Sequence, residues 1–328
     1  GRSDELLRSG DYLTAAIDGA PFVVVRLETG KLTAFSTVCR HRMALIVQGA
    51  GNARGFTCPY HGWTYDLAGN LISAPRMPKD FDRSRDCLPA VATEEWNGFV
   101  YATLCAEADP LKSRLEDLTR ELTPYHLERM RTLRRERDVW RTNWKLLVEN
   151  FLEPYHLNAT HPATLAKFAP PEGVTVLPRR SGYQFHAHRM SEDSAPIPLD
   201  PRIGIPNLEI SEEGKRTAYI GGVFPSHLLA VTWDSVFWLA LQPRGVDEVI
   251  LDWGVAGPLR IPDGETLPPD HPNLLYVRMA DLLNSEDRVR VEAVQHGATS
   301  GYGRQNRLHP HEAPILGFIA YLQERLGE

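Results

Sequence analysis

The order of apolar and polar positions divides the chain into a strand-rich first third, a helical middle, a second strand-rich region and a helical end. From about Gly10 to Leu104, short β-type runs alternate with turns. Pro21–Leu27 reads as a strand, Gly30-Lys31 as a turn and Leu32–Ser36 as the returning strand. Asp66-Leu67-Ala68-Gly69-Asn70 predicts another turn, and Gly98–Leu104 another strand. The texture becomes helical near Asp109–Glu121. Asn143–Leu157 predicts the clearest helix, because Trp144, Leu147, Val148, Phe151 and Leu152 recur at i, i+3, i+4, i+7 and i+8. Strand-like runs return at Tyr183–His188, Ala218–Phe224, His227–Thr232, Val236–Leu241 and Val249–Val255. The polar, proline-bearing stretch Ser191–Lys215 predicts a long loop among them. Tyr276–Gln295 and Pro314–Leu326 predict helices at the end.

Composition narrows the function classes. The 328 residues suffice for two domains, each with its own core. A net charge of -6 supplies no overall basic field, which argues against a nucleic-acid partner. No apolar run reaches the ~20 residues that a membrane helix needs, and the opening Gly-Arg-Ser-Asp lacks signal-peptide texture. The expectation is a cytoplasmic protein with no membrane partner. Six arginines between Arg129 and Arg141 could form a docking patch for an acidic partner. Glu128, Glu136 and Asp138 interleave with them, so a solvated charged face is the reading adopted.

Four cysteines in a chain of this size do not make a disulfide framework. Cys87 and Cys105 have no histidine neighbours at ligand spacing and read as small buried apolar residues. Cys39 and Cys58 differ. Cys39-Arg40-His41 is followed, after sixteen residues, by Cys58-Pro59-Tyr60-His61. Two thiolates and two imidazoles could hold zinc, but zinc fingers pair cysteines on one knuckle and histidines on the other. Here each half supplies one of each, which suits a [2Fe–2S] cluster with one iron on two sulfurs and the other on two nitrogens.

A second constellation lies on the predicted helix. Glu149, Glu153 and His156 fall on one face at i, i+4 and i+7, and His161 follows five residues later. For both histidines to meet one metal, the helix must end or distort between Leu157 and Thr160, and Asn158 and Pro162 favour such an ending. Glu153-Pro154-Tyr155-His156 also fits the E-x-x-H of carboxylate di-iron bundles, but no second E-x-x-H occurs. Two histidines and a carboxylate on one side of a metal would make a mononuclear iron site with positions left for O2.

The flanking residues Cys39-Arg40-His41-Arg42 and Cys58-Pro59-Tyr60-His61-Gly62-Trp63, with Tyr65, Asp66, Gly69 and Asn70, resemble the Rieske non-haem iron oxygenases. Ser285-Glu286-Asp287-Arg288-Val289 to Val294-Gln295-His296-Gly297 resembles the C-terminal helix of that family. The resemblance spans nearly the whole chain, from Gly10-Asp11-Tyr12 to the final helix. It implies an α+β fold: an all-β Rieske domain over residues 1–115, then a catalytic domain over 116–328 with a central antiparallel sheet flanked by helices. It implies Cys39, His41, Cys58 and His61 as cluster ligands and His156, His161 and Asp287 as iron ligands, with Glu286 the fallback for a register error of one.

A terminal oxygenase of this kind would take electrons from NAD(P)H through a separate reductase or ferredoxin and use O2 to hydroxylate or demethylate a small organic substrate. The resemblance further implies a homotrimer, in which Glu153 links a cluster histidine of one protomer to His156 of the next. The family commonly has aspartate where this chain has Glu153, and members acting on quaternary amines also carry glutamate there. Members usually have a further segment before the position where this chain begins, which points to a shortened N-terminus. The rival function class is a pure electron carrier, against which the remaining two thirds of the chain argue.

His186 and His188 alternate along a strand and share a face, either lining the pocket or making ordinary strand hydrogen bonds, the second being adopted. His309 and His311 flank a proline and are expected to be exposed. The pocket is expected between the central sheet and the Ser191–Lys215 loop, with Phe224, Trp233, Phe237 and Trp238 as candidate aromatic walls. An aromatic substrate ranks first, and a quaternary ammonium compound, held by cation–π attraction, second.

Overall fold

Alternation at Val23, Val25 and Phe35 puts apolar side chains on one face of a small sheet, where they bury Cys39, Phe56, Cys58, Trp63 and Tyr65 in a common core. That core belongs to the first of two compact units in the computed structural model, Gly1–Ser113 and Arg114–Glu328. The structure describes residues 1–105, 107–191, 204–205, 207, 209–259, 267–268, 270–271, 274–304 and 307–327. Among them, no helix is long and apolar enough to cross a membrane.

The first unit is a set of short antiparallel strands. β1 (Asp11–Ile17), β2 (Ala20–Arg26), β3 (Leu32–Ser36) and β4 (Ala50–Asn52) form a sheet in the order β3-β2-β1-β4. β5 (Phe56–Thr57), β6 (Thr64–Tyr65) and β7 (Leu71–Ser73) form a second sheet, and β8 (Ala92–Trp96) pairs with β9 (Phe99–Thr103). The predicted turn at residues 66–70 is present, with the Asp66 carboxylate accepting from the backbone N–H groups of Ala68 and Asn70.

In the second unit, α1 (Leu111–Arg114, beginning in the first unit) and α2 (Glu116–Leu122) precede β10 (Arg131–Trp140). α3 (Trp144–Leu152) and α4 (Leu157–Thr160) follow, then β11 (Val174–Val176), β12 (Tyr183–Arg189), β13 (Thr217–Val223), β14 (His227–Thr232), β15 (Ser235–Pro243) and β16 (Val249–Gly257). α5 (Leu275–Thr299) and α6 (Ala313–Leu326) complete it. The strands form one antiparallel sheet of order β10-β16-β15-β14-β13-β12-β11. Leu228, Leu239, Leu241, Leu251 and Trp253 on its inner face pack against Leu147, Val148 and Leu152 of α3, Val277 and Val291 of α5 and Phe318 of α6.

Two expectations, on the spare cysteines and on one helix end, are corrected. The arginine run is the edge strand β10, where Arg135 and Arg137 reach Asp252 at 3.6 and 2.7 Å and Arg134 reaches Asp281 at 3.1 Å. The charges mask its alternation, which suits a long edge strand that must not pair with another chain. Cys87 is only partly buried and Cys105 is exposed, because both sit beside turns rather than inside a packed face. The helix expected over 143–157 stops at Leu152, since Glu153 precedes a proline and adopts an extended conformation, φ −117° and ψ 135°. Glu149, Glu153 and His156 therefore do not share one helical face.

Gly221 marks a tight approach within the sheet. A Cβ there would sit 2.2 Å from the Gln184 carbonyl oxygen and 2.5 Å from Phe185 Cγ. Gly221→Ala is expected to destabilise the fold by roughly 1–3 kcal/mol through overpacking. Thermal unfolding reads this directly, and an unchanged midpoint would contradict the close approach.

Candidate metal centres

In the first unit, two loops of similar construction carry the four predicted cluster ligands. The Cys39 N–H donates to the Ala44 carbonyl and the Met43 N–H returns to the Cys39 carbonyl. The Cys58 N–H donates to the Trp63 carbonyl and the Gly62 N–H to the Cys58 carbonyl. Each loop closes through a residue with positive φ, Met43 at 60° and Gly62 at 74°. Both thiols are buried, whereas His41 and His61 lie at the surface with ring centroids 4.5 Å apart. His41 stacks on Trp63 at 4.9 Å, and the Tyr65 hydroxyl lies 3.4 Å from Cys39 Sγ while accepting from the Arg40 N–H.

A single zinc ion would draw all four donors close together, at Zn–S near ~2.3 Å and Zn–N near ~2.0 Å. Here the two thiols are buried and the two imidazoles lie at the surface, a division that fits a two-iron cluster with one iron on sulfur and the other on nitrogen.

In the second unit the break at Glu153-Pro154 sets the site. The single turn α4 begins after His156, and its Ala159 and Thr160 N–H groups donate to the His156 carbonyl. The His161 N–H donates to the Leu157 carbonyl, which leaves the two imidazoles facing each other with centroids 5.2 Å apart. From α5, Asp287 Oδ1 lies 3.1 Å from His161 Nε2 and 3.6 Å from His156 Nε2. Asn150 Nδ2 approaches the same oxygen at 3.4 Å.

The outer ring nitrogens are held by other carboxylates. His156 Nδ1 lies 2.8 Å from Glu153 Oε1, and His161 Nδ1 lies 2.7 Å from Glu286 Oε2, which also accepts from Thr164 Oγ1. Carboxylates only accept, so both Nδ1 atoms carry hydrogen and both Nε2 atoms point inward. A cation that takes the place of a proton there would meet two Nε2 lone pairs and the Asp287 carboxylate at one point. Burial opposes charge on His161, yet Asp287 and Glu286 prevail and raise its pKa. The donor set of two histidines and one carboxylate suits ferrous iron. Glu286 occupies the orienting position, not the converging one, and Glu153 lies outside the trio.

The pocket floor follows from strand register. His186 pairs with Ile220, Ile220 with Ala230 and Ala230 with Phe237, so these side chains form one row across β12 to β15. They line a cavity of about 80 Å³ together with His188, Phe151, Leu157, Leu283 and the metal-facing residues. Of the candidate aromatic walls only Phe237 is there: Phe224 packs on Phe318, Trp238 is fully buried and Trp233 lies near Lys215. His186 and His188 thus both line the pocket, and His188 also makes an ordinary hydrogen bond, to the Pro170 carbonyl. His309 and His311 are half-buried, His309 stacking on Tyr155 at 4.1 Å beside His156. Most of the loop expected over 191–215, namely 192–203 with 206 and 208, lies outside the described residues.

Two known domain families match the chain. Residues 1–93 match the Rieske [2Fe-2S] domain, and residues 121–328 match the ring hydroxylating alpha subunit catalytic domain. The chain belongs to the ring-hydroxylating alpha-subunit family. Within this family it is 37% identical over 167 residues to the glycine betaine monooxygenase oxygenase subunit of Chromohalobacter salexigens, covering 50% of this chain and 38% of that one. It is 29% identical over 320 residues to the carnitine monooxygenase oxygenase subunit of Escherichia coli K12, covering 93% and 79%. The crystal structure of a quaternary ammonium Rieske monooxygenase superposes with a TM-score of 0.82 at 22% identity, covering all of this chain and 87% of that one. Naphthalene 1,2-dioxygenase superposes at 0.75 and 21% identity, covering 100% and 86%. The fold class expected from sequence is the one observed, and the two matched domains imply a Rieske cluster and a mononuclear iron.

Proposed function

We propose that this protein is the terminal oxygenase component of a multicomponent Rieske system, hydroxylating or demethylating a small organic substrate with O2. The observation that carries this reading is the convergence of His156 Nε2, His161 Nε2 and Asp287 Oδ1 at the mouth of an apolar pocket. His156, His161 and Asp287 would hold iron, and Cys39, His41, Cys58 and His61 the cluster. Bound there, the iron supplies O2 activation and the cluster one-electron transfer. The chain's own side chains do the rest. Glu286 and Glu153 fix the histidine tautomers, Phe151, Ile220 and Phe237 exclude water, and surface-exposed His41 and His61 offer an outlet for electrons.

Electrons would come from NAD(P)H through a separate reductase or ferredoxin, in a cytoplasmic setting. A homotrimer would place the cluster edge of one protomer near Glu153 of the next. The aromatic class is the main substrate reading, supported by the Phe151 and Phe237 rings, whose centroids lie 6.2 Å apart. Oxidation of a quaternary ammonium compound is the second, favoured by Glu153 and by the activities named for the glycine betaine and carnitine relatives.

The test is oxygen uptake by the holoprotein with a surrogate reductase against a panel of aromatic acids and betaines. At least one class is expected to couple O2 consumption to a hydroxylated or demethylated product. If none does while the cluster still cycles, the protein is an electron carrier instead.

A further inference from the structure

His186 and His188 bring polarity to a pocket that is otherwise apolar beyond its metal-facing residues and Asn150. Both lie on β12, one alternation apart, with 1% and 0% exposure. His188 Nε2 is 2.8 Å from the Pro170 carbonyl oxygen. A carbonyl only accepts, so Nε2 carries the hydrogen and Nδ1 is a bare lone pair. That Nδ1 and both ring nitrogens of His186 are buried without a hydrogen-bond partner. The Leu152 backbone lies near His186 but outside hydrogen-bonding geometry. The two rings, with centroids 6.0 Å apart and tilted by 55°, do not satisfy one another.

Burial is the main cause holding both imidazoles neutral, pushing His186 down to about 3 and His188 below its ordinary value. Among the described lining residues there is no lysine or arginine, and the only carboxylates, Glu153 and Asp287, are engaged at the metal centre. The unfilled capacity is therefore one acceptor at His188, and one donor with one acceptor at His186. A carboxylate offers only acceptors, so it could not supply the hydrogen that His188 Nδ1 lacks, and it meets no lysine or arginine among the described lining residues. A tetra-alkylated ammonium has no hydrogen to give. A hydroxyl gives one hydrogen bond and takes one, which meets the acceptor at His188 and the donor at His186 and leaves one His186 nitrogen open. The cavity that both histidines line measures about 80 Å³.

We propose that His186 and His188 bind a hydroxyl group of an alcohol or phenol substrate. The hydroxyl donates to His188 Nδ1 and accepts from His186, which holds the adjoining carbon framework beside the metal centre. This deepens the oxygenase reading and rests on it for the orienting role alone; the binding claim stands apart.

Phenol and toluene, close in shape but differing in the hydroxyl, provide the test. Their affinities are measured by calorimetry on the anaerobic holoprotein with both metals loaded. The wild type is expected to prefer phenol by about tenfold or more, the scale of a hydrogen bond whose loss strands buried partners. His188→Leu and His186→Leu should bring that ratio to within about twofold without weakening toluene or lowering metal content. His186→Asn, which retains a donor and an acceptor, should keep most of the preference and guards against misreading a folding defect. A wild type that binds phenol no better than toluene overturns the proposal, as does a preference that survives both leucine variants. A retained preference without any substrate-coupled oxygen uptake would sustain this site and sink the oxygenase reading.

Discussion

Asp287→Ala is expected to leave the second unit without iron and to abolish substrate-coupled oxygen uptake, while the visible spectrum of the cluster stays intact. Among the described residues, Asp287 supplies the carboxylate oxygen that faces both Nε2 atoms, at 3.1 and 3.6 Å. Its loss removes the one anionic donor and leaves two imidazoles, short of the two-histidine, one-carboxylate set that holds ferrous iron. Glu286→Gln should behave differently. Its carboxylate binds His161 Nδ1 and Thr164 from behind, so its loss should weaken iron binding about 10–100-fold without eliminating it. Metal content per chain and the cluster spectrum, measured on both variants, separate the two residues. If Asp287→Ala keeps a full complement of iron and Glu286→Gln does not, the ligand assignment is reversed.

Glu153→Ala should retain both metals and lose oxygen consumption by about 100-fold or more, at the upper end of effects from residues behind a metal ligand. Its carboxylate has two tasks visible in the structure. Oε1 engages His156 Nδ1 at 2.8 Å, and Oε2 accepts from the backbone N–H groups of Tyr155 and His156. The first aligns the imidazole; the second closes the turn that follows the helix break. Glu153→Gln keeps an acceptor for the turn but removes the charge, and separates the two tasks. Rapid mixing of the reduced protein with O2 and substrate follows cluster oxidation directly. Full oxygen uptake in Glu153→Ala would remove it from the electron path, and loss of iron would show it to be structurally required at the metal.

The legible parts were those encoded locally. The two Cys/His loops can be read from spacing because each closes on itself within five residues, as the paired Cys39–Met43 and Cys58–Gly62 hydrogen bonds show. The strands β12 to β16 and the helices α5 and α6 were legible because burial of one face imprints a period on the sequence. β10 was not, because an edge strand carries charges on positions that would otherwise alternate. The helix ends before Asn158 and Pro162, the stops that its apolar period points to, because Pro154 is the nearer one.

Sequence by itself determined which residue types were available to hold two metals and the class of fold that would carry them. Spacing alone does not separate Asp287 from Glu286, which are adjacent in the chain and chemically alike; resemblance ranks Asp287 first. The packing of α5 against the turn after α3 supports that order, because it turns Asp287 inward between two Nε2 atoms and Glu286 outward to one Nδ1. Nor could alternation alone say what His186 and His188 face. That depended on long-range register, which sets His186 in one row with Ile220, Ala230 and Phe237 and beneath the metal-bearing turn. Local spacing encodes chemistry within one turn of chain, whereas contacts more than a hundred residues apart exist only once the sheet and helices have packed.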